Sequence, residues 1–235
     1  QARQECQDWQ HEMMKKKASA FSKAGKAIQN IINEKIPERV HRVVTESIKG
    51  MVQTVLYGSK WTTKRSPLEE SSLEKREELV RKKITLYKQM AAAEGAGTGA
   101  GGFLWGVADF PMLLSIKMKF LFDAASLYGY DVKDFRERLF ILHIFQAAFS
   151  SDDNRIDTFI KMKNWPETVK VYSSLSELDW RQFQQEYRDY IDLAKLFQLI
   201  PGFGAIVGAV ANYRFLDHLG ETAINAYRMR LFENE

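Results

Sequence analysis

A glycine-rich stretch that runs directly into a long apolar segment constrains this chain more than any other feature. Residues 94–130 read EGAGTGAGGFLWGVADFPMLLSIKMKFLFDAASLYGY, with six glycines between residues 95 and 106. In a helix interior each glycine costs up to about 1 kcal/mol relative to alanine, so close backbone packing has to offset that cost. A second stretch of the same texture, IPGFGAIVGAVANYRFL, covers residues 200–216. Together they predict a helical protein with a centre of closely packed small residues.

The spacing of the glycines suggests how they pack. Glycines four residues apart share one face of a helix, a pattern that lets two helices approach closely. We predict this helix-packing role for Gly97, Gly101, Gly102, Gly106, Gly204 and Gly208. A turn over residues 95–102 followed by an ordinary buried helix is the alternative interpretation. No Gly-Lys-Ser/Thr follows the glycines, which argues against a phosphate-binding loop.

Apolar residues recur at helical spacing through most of the chain, and no period-two alternation is long enough for a strand. We therefore predict an all-α, multi-helix bundle built around the two glycine-rich, small-residue helices. It forms a single domain over residues 1–235, with basic amphipathic helices in 1–60 and a core in about 66–232. Helices are predicted over residues 3–33, 103–128, 133–149, 155–163 and 204–232. Further helices are predicted between Pro37 and Gly58, from a capping box at Ser66, and from about residue 177. Gly129 is predicted to stop the helix over 103–128, and Asp131 to cap the helix over 133–149.

Charge is distributed unevenly along the chain. Residues 1–65 contain 13 Lys and Arg against 6 Asp and Glu, whereas the remainder carries 21 against 24. A basic surface attracts anionic lipid, nucleic acid or an acidic protein, and a merely solvated face is the alternative. No nucleic-acid reading motif accompanies the basic residues, so we expect no nucleic-acid partner. Basic amphipathic helices suit an anionic membrane surface, and the predicted lipid-contact residues are Lys15, Lys16, Lys23, Lys26, Lys60, Trp61, Lys64 and Arg65.

The sequence also resembles a known family. The glycine-rich run, the segment GVADFPMLLSIKMKFLFDAASLYGYD and the segment IPGFGAIVGAVANYRFLDHLGETAINAYRMR resemble the EcsC protein family, over roughly residues 40–232. The resemblance implies a helical, membrane-associated protein that some bacteria encode beside an ABC transporter operon. A membrane protein is accordingly a second partner to consider. The resemblance supplies no established catalytic residues.

Asp109 is the first candidate for chemistry, because a carboxylate in an apolar helix is costly to bury unless it is paired or protonated. Aligning the two glycine-rich stretches places Asn212 on Asp109, and His218 and Glu221 lie three residues apart on one helix face. An enzyme with a polar site around Asp109, Asn212 and His218 is therefore one hypothesis. The alternative is that Asp109 caps a helix break before Pro111, and that His218 and Glu221 form a solvated polar face. No zinc spacing or nucleophile elbow is present, so we expect no metal ion and no cofactor.

The preferred hypothesis is a non-enzymatic, peripheral membrane protein that binds anionic lipid through its basic amphipathic helices. A single cysteine, Cys6, fits a reducing compartment, and the first residues lack signal-peptide architecture, so we expect a cytoplasmic protein at the membrane surface. Neither apolar stretch is a clean membrane span, since residues 103–116 are few and include Asp109, and residues 196–213 contain Pro201-Gly202 and are glycine-rich. Paired insertion of both stretches as a hairpin or re-entrant element is the alternative. A carrier of lipid or of another hydrophobic ligand is the second hypothesis, and the enzyme is the third.

Overall fold

The structure is a computed structural model that describes residues 1–15, 38–57, 71–98, 110–173 and 207–233. These ranges fold into eight α-helices, which confirms the predicted all-α bundle for the described part of the chain. The helices are α1 Ala2–Met14, α2 Glu38–Tyr57, α3 Leu73–Thr98, α4 Phe110–Leu127, α5 Phe135–Phe149, α6 Asp152–Lys163, α7 Trp165–Ser173 and α8 Val207–Glu233.

The centre of the described bundle is α5. Every residue from Leu139 to Phe149 is buried, whereas a surface helix buries only one stripe. Helices α2, α4, α6 and α8 all pack against it. The helix begins two residues later than predicted, because Asp134 caps it by accepting a hydrogen bond from the Arg136 backbone N–H at 2.9 Å. Asp131, the predicted cap, instead accepts the backbone N–H of Lys133 in the preceding turn.

Helices α3 and α8 form the most extensive pair and run antiparallel. Arg81 of α3 donates to Glu221 of α8 at 2.7 Å. Close by, Gly220 faces Ile84 so tightly that a Cβ atom at Gly220 would lie 2.4 Å from Ile84 Cδ1. A side chain at Gly220 would therefore have to displace the buried Ile84 side chain. The sequence analysis did not select this glycine, because it stands alone among larger residues.

Helix α4 runs antiparallel to α3 on another side. Asp123 of α4 accepts hydrogen bonds from Lys83 and Tyr87 of α3, both at 2.9 Å. The helix stops as predicted at Gly129, whose φ of 93° is accessible to glycine without strain. The Tyr130 N–H bonds back to the carbonyl of residue 125, and that of Gly129 to residue 126, both at 3.0 Å, which is the Schellman arrangement.

Two predicted helix boundaries are wrong. A single helix over residues 3–33 is excluded because α1 ends at Met14 and Lys15 is extended, with φ −80° and ψ 132°. The Arg155 side chain donates to the Lys15 carbonyl at 2.6 Å, a tertiary contact that holds this end. A continuous helix from the capping box at Ser66 is also excluded, since residues 71 and 72 are not helical and α3 begins at Leu73. Ser66 itself lies outside the described residues.

The predicted glycine packing remains largely outside the described residues. Gly97 lies within α3 and Gly208 within α8, so these two positions are helical as predicted. Their predicted counterparts lie in ranges that are not described: Gly101, Gly102, Gly106 and Gly204. The bundle's organisation around two glycine-rich helices therefore stays a prediction, as does the helix predicted to begin at about residue 177.

Substitution of Gly220 by alanine should destabilise the protein, because the added methyl group would overlap Ile84. Overpacking costs about 1–3 kcal/mol, which exceeds the gain of at most about 1 kcal/mol in helix propensity. Gly50→Ala is the matched control, since nothing lies within 4 Å of its Cβ position, and it should stabilise the protein by about 0.5–1 kcal/mol.

Chemical denaturation measures the free energy of unfolding of both variants. The double variant Ile84→Ala, Gly220→Ala should lose less stability than the sum of the losses of the two single variants. Equal stabilisation by both alanines would contradict the close contact.

Candidate functional site

A cavity of about 230 Å³ opens at the surface between the start of α5, helix α7 and the last turns of α8. The turn between α4 and α5 contributes a further wall. Both acidic and basic side chains line the cavity together with aromatic rings, which makes it a candidate site for a small ligand. Its lining residues are Tyr130, Asp131, Asp134, Arg136, Glu137, Trp165, Val169 and Arg230.

The floor of this cavity is a buried ion pair between Glu137 of α5 and Arg230 of α8. Glu137 Oε2 accepts from Arg230 Nη1, and its Oε1 accepts from the Tyr227 hydroxyl, both at 2.7 Å. Burial raises the pKa of the Glu137 carboxyl, while the Arg230 charge and these hydrogen bonds oppose that rise. Burial also raises the pKa of Tyr227 well above its ordinary value, so Tyr227 is a neutral donor to Glu137. Both carboxylate oxygens are therefore engaged in positioning α8 against α5.

Aromatic rings fix the orientation of the Arg230 guanidinium. Its central carbon lies 3.9 Å from the ring centroid of Tyr130 and 4.2 Å from that of Phe140. A cation over a ring face is attracted by about 0.5–2 kcal/mol, depending on how dry the site is. Because Glu137 holds the group at one edge and the rings hold its plane, Arg230 is a pre-organised cation at the base of the cavity.

The inner wall is formed by Trp165, which packs edge-on against Phe140 and His143 with centroids 5.0 and 5.3 Å away. His143 is fully enclosed behind it: Nδ1 lies 2.8 Å from the Leu139 carbonyl and Nε2 lies 3.1 Å from the Tyr172 hydroxyl. Burial lowers the pKa of His143 to about 4, so the ring is neutral at pH 7. We interpret His143 as a packing residue that supports the wall.

A second buried charge cluster joins three helices around Arg228. Its Nε and Nη2 donate to the two carboxylate oxygens of Glu77 of α3 at 2.6 and 2.7 Å, and Nη1 donates to Glu5 of α1 at 2.8 Å. The hydrogen bonds to Glu77 raise the pKa of Arg228. Cys6 lies beside this cluster with its Sγ 3.6 Å from the Asn225 carbonyl. Burial raises the pKa of the Cys6 thiol, which does not suit a nucleophile.

The predicted polar-site residues are only partly described. Glu221 is engaged in the ion pair with Arg81, where about half of each side chain is exposed, and His218 is exposed on α8. Asp109 lies outside the described residues, and Asn212 belongs to α8 without a described side chain. Convergence of Asp109, Asn212 and His218 thus stays a prediction. Within the described ranges, no group of three or more His, Cys, Asp or Glu side chains is placed to hold a metal ion.

Of the predicted lipid-contact residues, Lys15 is the one in a described range. Its side chain is 65% exposed and pairs with Glu12 at 2.5 Å, three residues earlier. Such an exposed pair is worth at most about 1 kcal/mol, so the Lys15 ammonium can exchange partners readily. The remaining members of the set lie outside the described residues: Lys16, Lys23, Lys26, Lys60, Trp61, Lys64 and Arg65.

The sequence analysis missed the residues that form the cavity floor. Glu137 and Arg230 are 93 positions apart, and each was assigned to a helix by its apolar neighbours alone. No local signal marks Glu137, because it lies between Arg136 and Arg138 and reads as part of a charged first turn. The sequence does not identify which distant cation meets it.

The fold and the cavity define an all-helical bundle that holds a small polar cavity. The chain matches the EcsC protein family over residues 1–232, and it belongs to that family. It is 50% identical to "Protein EcsC" of Bacillus subtilis (strain 168) over 230 residues, which cover 98% of this chain and 94% of that protein. It is 33% identical to "Uncharacterized protein YdbA" of the same organism over 141 residues, 60% of this chain and 52% of that one. No solved structure matches the chain.

The match confirms the resemblance and extends it to the N-terminal helices, which the sequence analysis placed before the family core. Among the helices of the described ranges, none combines the length and the hydropathy that crossing a bilayer requires.

Replacement of Lys117 by methionine should stabilise the protein most at and below pH 7. Lys117 of α4 is fully buried, and burial lowers its pKa from 10.5 to about 7. Between these values the unfolded chain holds a proton that the folded chain has lost, so the free energy of unfolding rises with pH. The destabilisation by the charged amine is therefore fully present below pH 7, at up to roughly 5 kcal/mol, and disappears towards pH 10.5.

Chemical denaturation of the wild type and Lys117→Met between pH 6 and pH 9.5 measures this difference. The stability advantage of Lys117→Met should shrink steadily as the pH rises. Lys119→Met is the control, because Lys119 is 37% exposed and pairs with Asp123. A constant difference between Lys117→Met and the wild type at every pH would contradict the lowered pKa.

Proposed function

We propose that this protein is a peripheral membrane protein that binds anionic lipid. The observation that carries the proposal is that its basic N-terminal segment and both of its glycine-rich apolar stretches continue from helix ends in the same part of the bundle. This convergence brings together the two features that interfacial proteins combine, namely basic residues for lipid headgroups and apolar residues for the acyl boundary.

Helix directions bring together the ends from which the two apolar stretches continue. Tyr87 of α3 packs on Phe120 of α4 with ring centroids 6.0 Å apart, and Lys88 of α3 is hydrogen-bonded to Asp217 of α8. From these contacts about ten residues remain to the end of α3 and to the starts of α4 and α8, or about 15 Å of helix in each case. Because α3 is antiparallel to both partners, these three ends lie together, and we call them the glycine end.

The sequence at the glycine end is almost free of charge. Residues 99–109 continue from the end of α3 to the start of α4, and Asp109 is their one ionisable side chain. Residues 200–206 precede α8 and contain none. Uncharged apolar chain can enter the boundary between headgroups and acyl chains at little cost, whereas charged chain cannot.

Three of the large apolar side chains that are exposed on the described helices lie towards the same end. Leu86 and Met90 are one turn apart on α3 and are 46% and 45% exposed, and Met112 in the first turn of α4 is 47% exposed. Single exposed apolar residues are ordinary in folded proteins. Their position in the helix halves that lead to the glycine end supports shallow insertion there.

The basic segment begins in the same half of the bundle. The Lys15 carbonyl accepts a hydrogen bond from the Arg155 side chain in the first turn of α6. Helix α6 begins shortly after α5 ends at Phe149. The Phe149 ring lies 5.8 Å from that of Phe215, in the third turn of α8. In the proposed binding mode, the lysines that follow Lys15 contact anionic headgroups, and the glycine end inserts below the level of these headgroups.

The carrier hypothesis stays a prediction, and the described cavity does not suit an acyl lipid. Its volume of about 230 Å³ is small for an acyl lipid, and five of its eight lining residues are charged. A membrane-protein partner and the enzyme hypothesis remain predictions that rest on the sequence alone.

Liposome flotation tests the proposal directly. The protein should float with vesicles that contain 30% phosphatidylserine at low salt, and Lys15→Gln, Lys16→Gln, Lys23→Gln and Lys26→Gln combined should weaken binding at least tenfold. Each lysine near an anionic surface contributes about 1 kcal/mol to binding, and salt screens this contribution.

The matched control removes the same charge from exposed lysines away from the glycine end: Lys75→Gln, Lys82→Gln, Lys133→Gln and Lys170→Gln. Equal weakening by both sets would contradict the assigned surface, and no flotation of the wild type would contradict the function.

A second set of variants separates insertion from surface attraction. Leu86→Ser, Met90→Ser and Met112→Ser combined should lower the fraction that stays bound at high salt, because that fraction depends on apolar contact rather than charge. The control is Ile160→Ser with Val171→Ser, which removes exposed apolar side chains from α6 and α7. Salt-resistant binding that the first set leaves unchanged would exclude insertion through these residues.

A further inference from the structure

We infer that Met90 of α3 and Met112 of α4 are modification sites, at which a hydroperoxide oxidises the thioether to the sulfoxide and thereby releases the protein from the membrane. The inference rests on the proposed function, because it identifies the side chains through which the apolar part of the lipid contact is regulated.

Exposure divides the methionines into two groups. The chain has eight, all within the described ranges. Met90 and Met112 are 45% and 47% exposed, and Met14 at the end of α1 is 47% exposed. The other five are at most 5% exposed: Met13, Met51, Met118, Met162 and Met229. Because a peroxide in solution reaches exposed sulfur atoms before buried ones, oxidation begins at the three exposed methionines.

Met90 and Met112 share one exposed face of the α3–α4 pair. Lys83 and Met90 are seven residues apart on α3, and Met112 and Lys119 are seven apart on α4. Seven residues make about two helical turns, so each of these two pairs lies on one side of its helix. The Lys83 and Lys119 ammonium groups both reach Asp123, at 2.9 and 2.7 Å, and both side chains are more than a third exposed. The two methionines therefore flank the helix contact on the same side.

The order of groups along this face matches the order of groups in a lipid. Both methionines lie about 10 Å from the two lysines, in the direction of the glycine end. Ammonium groups are thus followed by apolar side chains, as headgroups are followed by acyl chains. Of the three exposed methionines, Met90 and Met112 are the two on the helices that lead to the glycine end, so their polarity bears on insertion.

Sulfoxide formation makes this face polar without adding a charge. The thioether sulfur attacks one oxygen of the hydroperoxide and breaks its O–O bond. Sulfur gains that oxygen atom and loses two electrons, and the other oxygen leaves as water or an alcohol. A sulfoxide oxygen accepts hydrogen bonds, so its transfer to the acyl boundary leaves a polar group without a partner. Methionine sulfoxide reductases reverse the change, while a dithiol is oxidised to the disulfide and the oxygen leaves as water.

Liposome flotation after mild hydrogen peroxide treatment tests the inference on the full chain. Peptide mass spectrometry should show one added oxygen at Met90 and at Met112 before any appears on the five buried methionines. At that stage the fraction bound to phosphatidylserine vesicles at high salt should fall roughly fivefold or more, because this fraction depends on apolar contact. Treatment with both methionine sulfoxide reductases and dithiothreitol should restore it.

Variants assign the response to the two sites, each variant being compared with its own untreated sample. Met90→Leu combined with Met112→Leu should abolish the peroxide response, since leucine has no sulfur to oxidise. Met14→Leu is the matched control, because it removes the third exposed methionine and should leave the response intact. A response that survives in the double variant, or that disappears in Met14→Leu, would overturn the inference.

The untreated protein separates failure of the inference from failure of the proposed function. Flotation at high salt that oxidation of Met90 and Met112 leaves unchanged would overturn the inference alone. Flotation that is confined to low salt before any treatment would do the same. No flotation of the untreated protein at any salt concentration would contradict the proposed function and overturn the inference with it.

Discussion

Arg228 joins helices that are far apart in the sequence, and the arrangement of the bundle depends on that contact. Its guanidinium donates to both oxygens of Glu77 and to one of Glu5, which ties α8 to α3 and to α1. Side-chain exposure is only 4% for Arg228 and 12% for Glu77, so loss of Arg228 would leave the nearly buried Glu77 carboxylate without this cation, at a cost of about 3–5 kcal/mol. Further along the pair, Gly220 leaves room for the Ile84 side chain. The ion pair and the glycine are both satisfied in the antiparallel register of α3 and α8.

That register has consequences at both ends of the bundle. At one end, α8 places Arg230 next to Glu137, and the aromatic residues around this ion pair form walls of the cavity. At the other end, α3, α4 and α8 bring together the points from which the two uncharged stretches continue. One packing arrangement thus places the polar cavity and the glycine end at opposite ends of the described bundle. The proposed lipid contact and the inferred oxidation sites belong to the glycine end, so the cavity can be altered without touching them.

Much of the helical framework could be predicted from local sequence signals, and most of the site could not. The apolar stripe of α2 is buried as its spacing predicts, with Val44, Ile48 and Val55 fully enclosed, because helical periodicity decides which face meets the core. The end of α1 at Lys15 depends on Arg155, and the floor of the cavity depends on Glu137 meeting Arg230. These are contacts between segments 140 and 93 positions apart, which no local pattern specifies.

Hydrogen–deuterium exchange with and without phosphatidylserine vesicles tests the central claim most directly, because it reports which end of the bundle meets the membrane. The account predicts slower exchange on vesicle binding in peptides from the last turns of α3 and the first turns of α4 and α8. Peptides that cover residues 128–138, beside the cavity, should exchange at the same rate in both conditions. Protection confined to residues 128–138, or spread evenly over both ends of vesicle-bound protein, would contradict the assignment of the glycine end to the membrane.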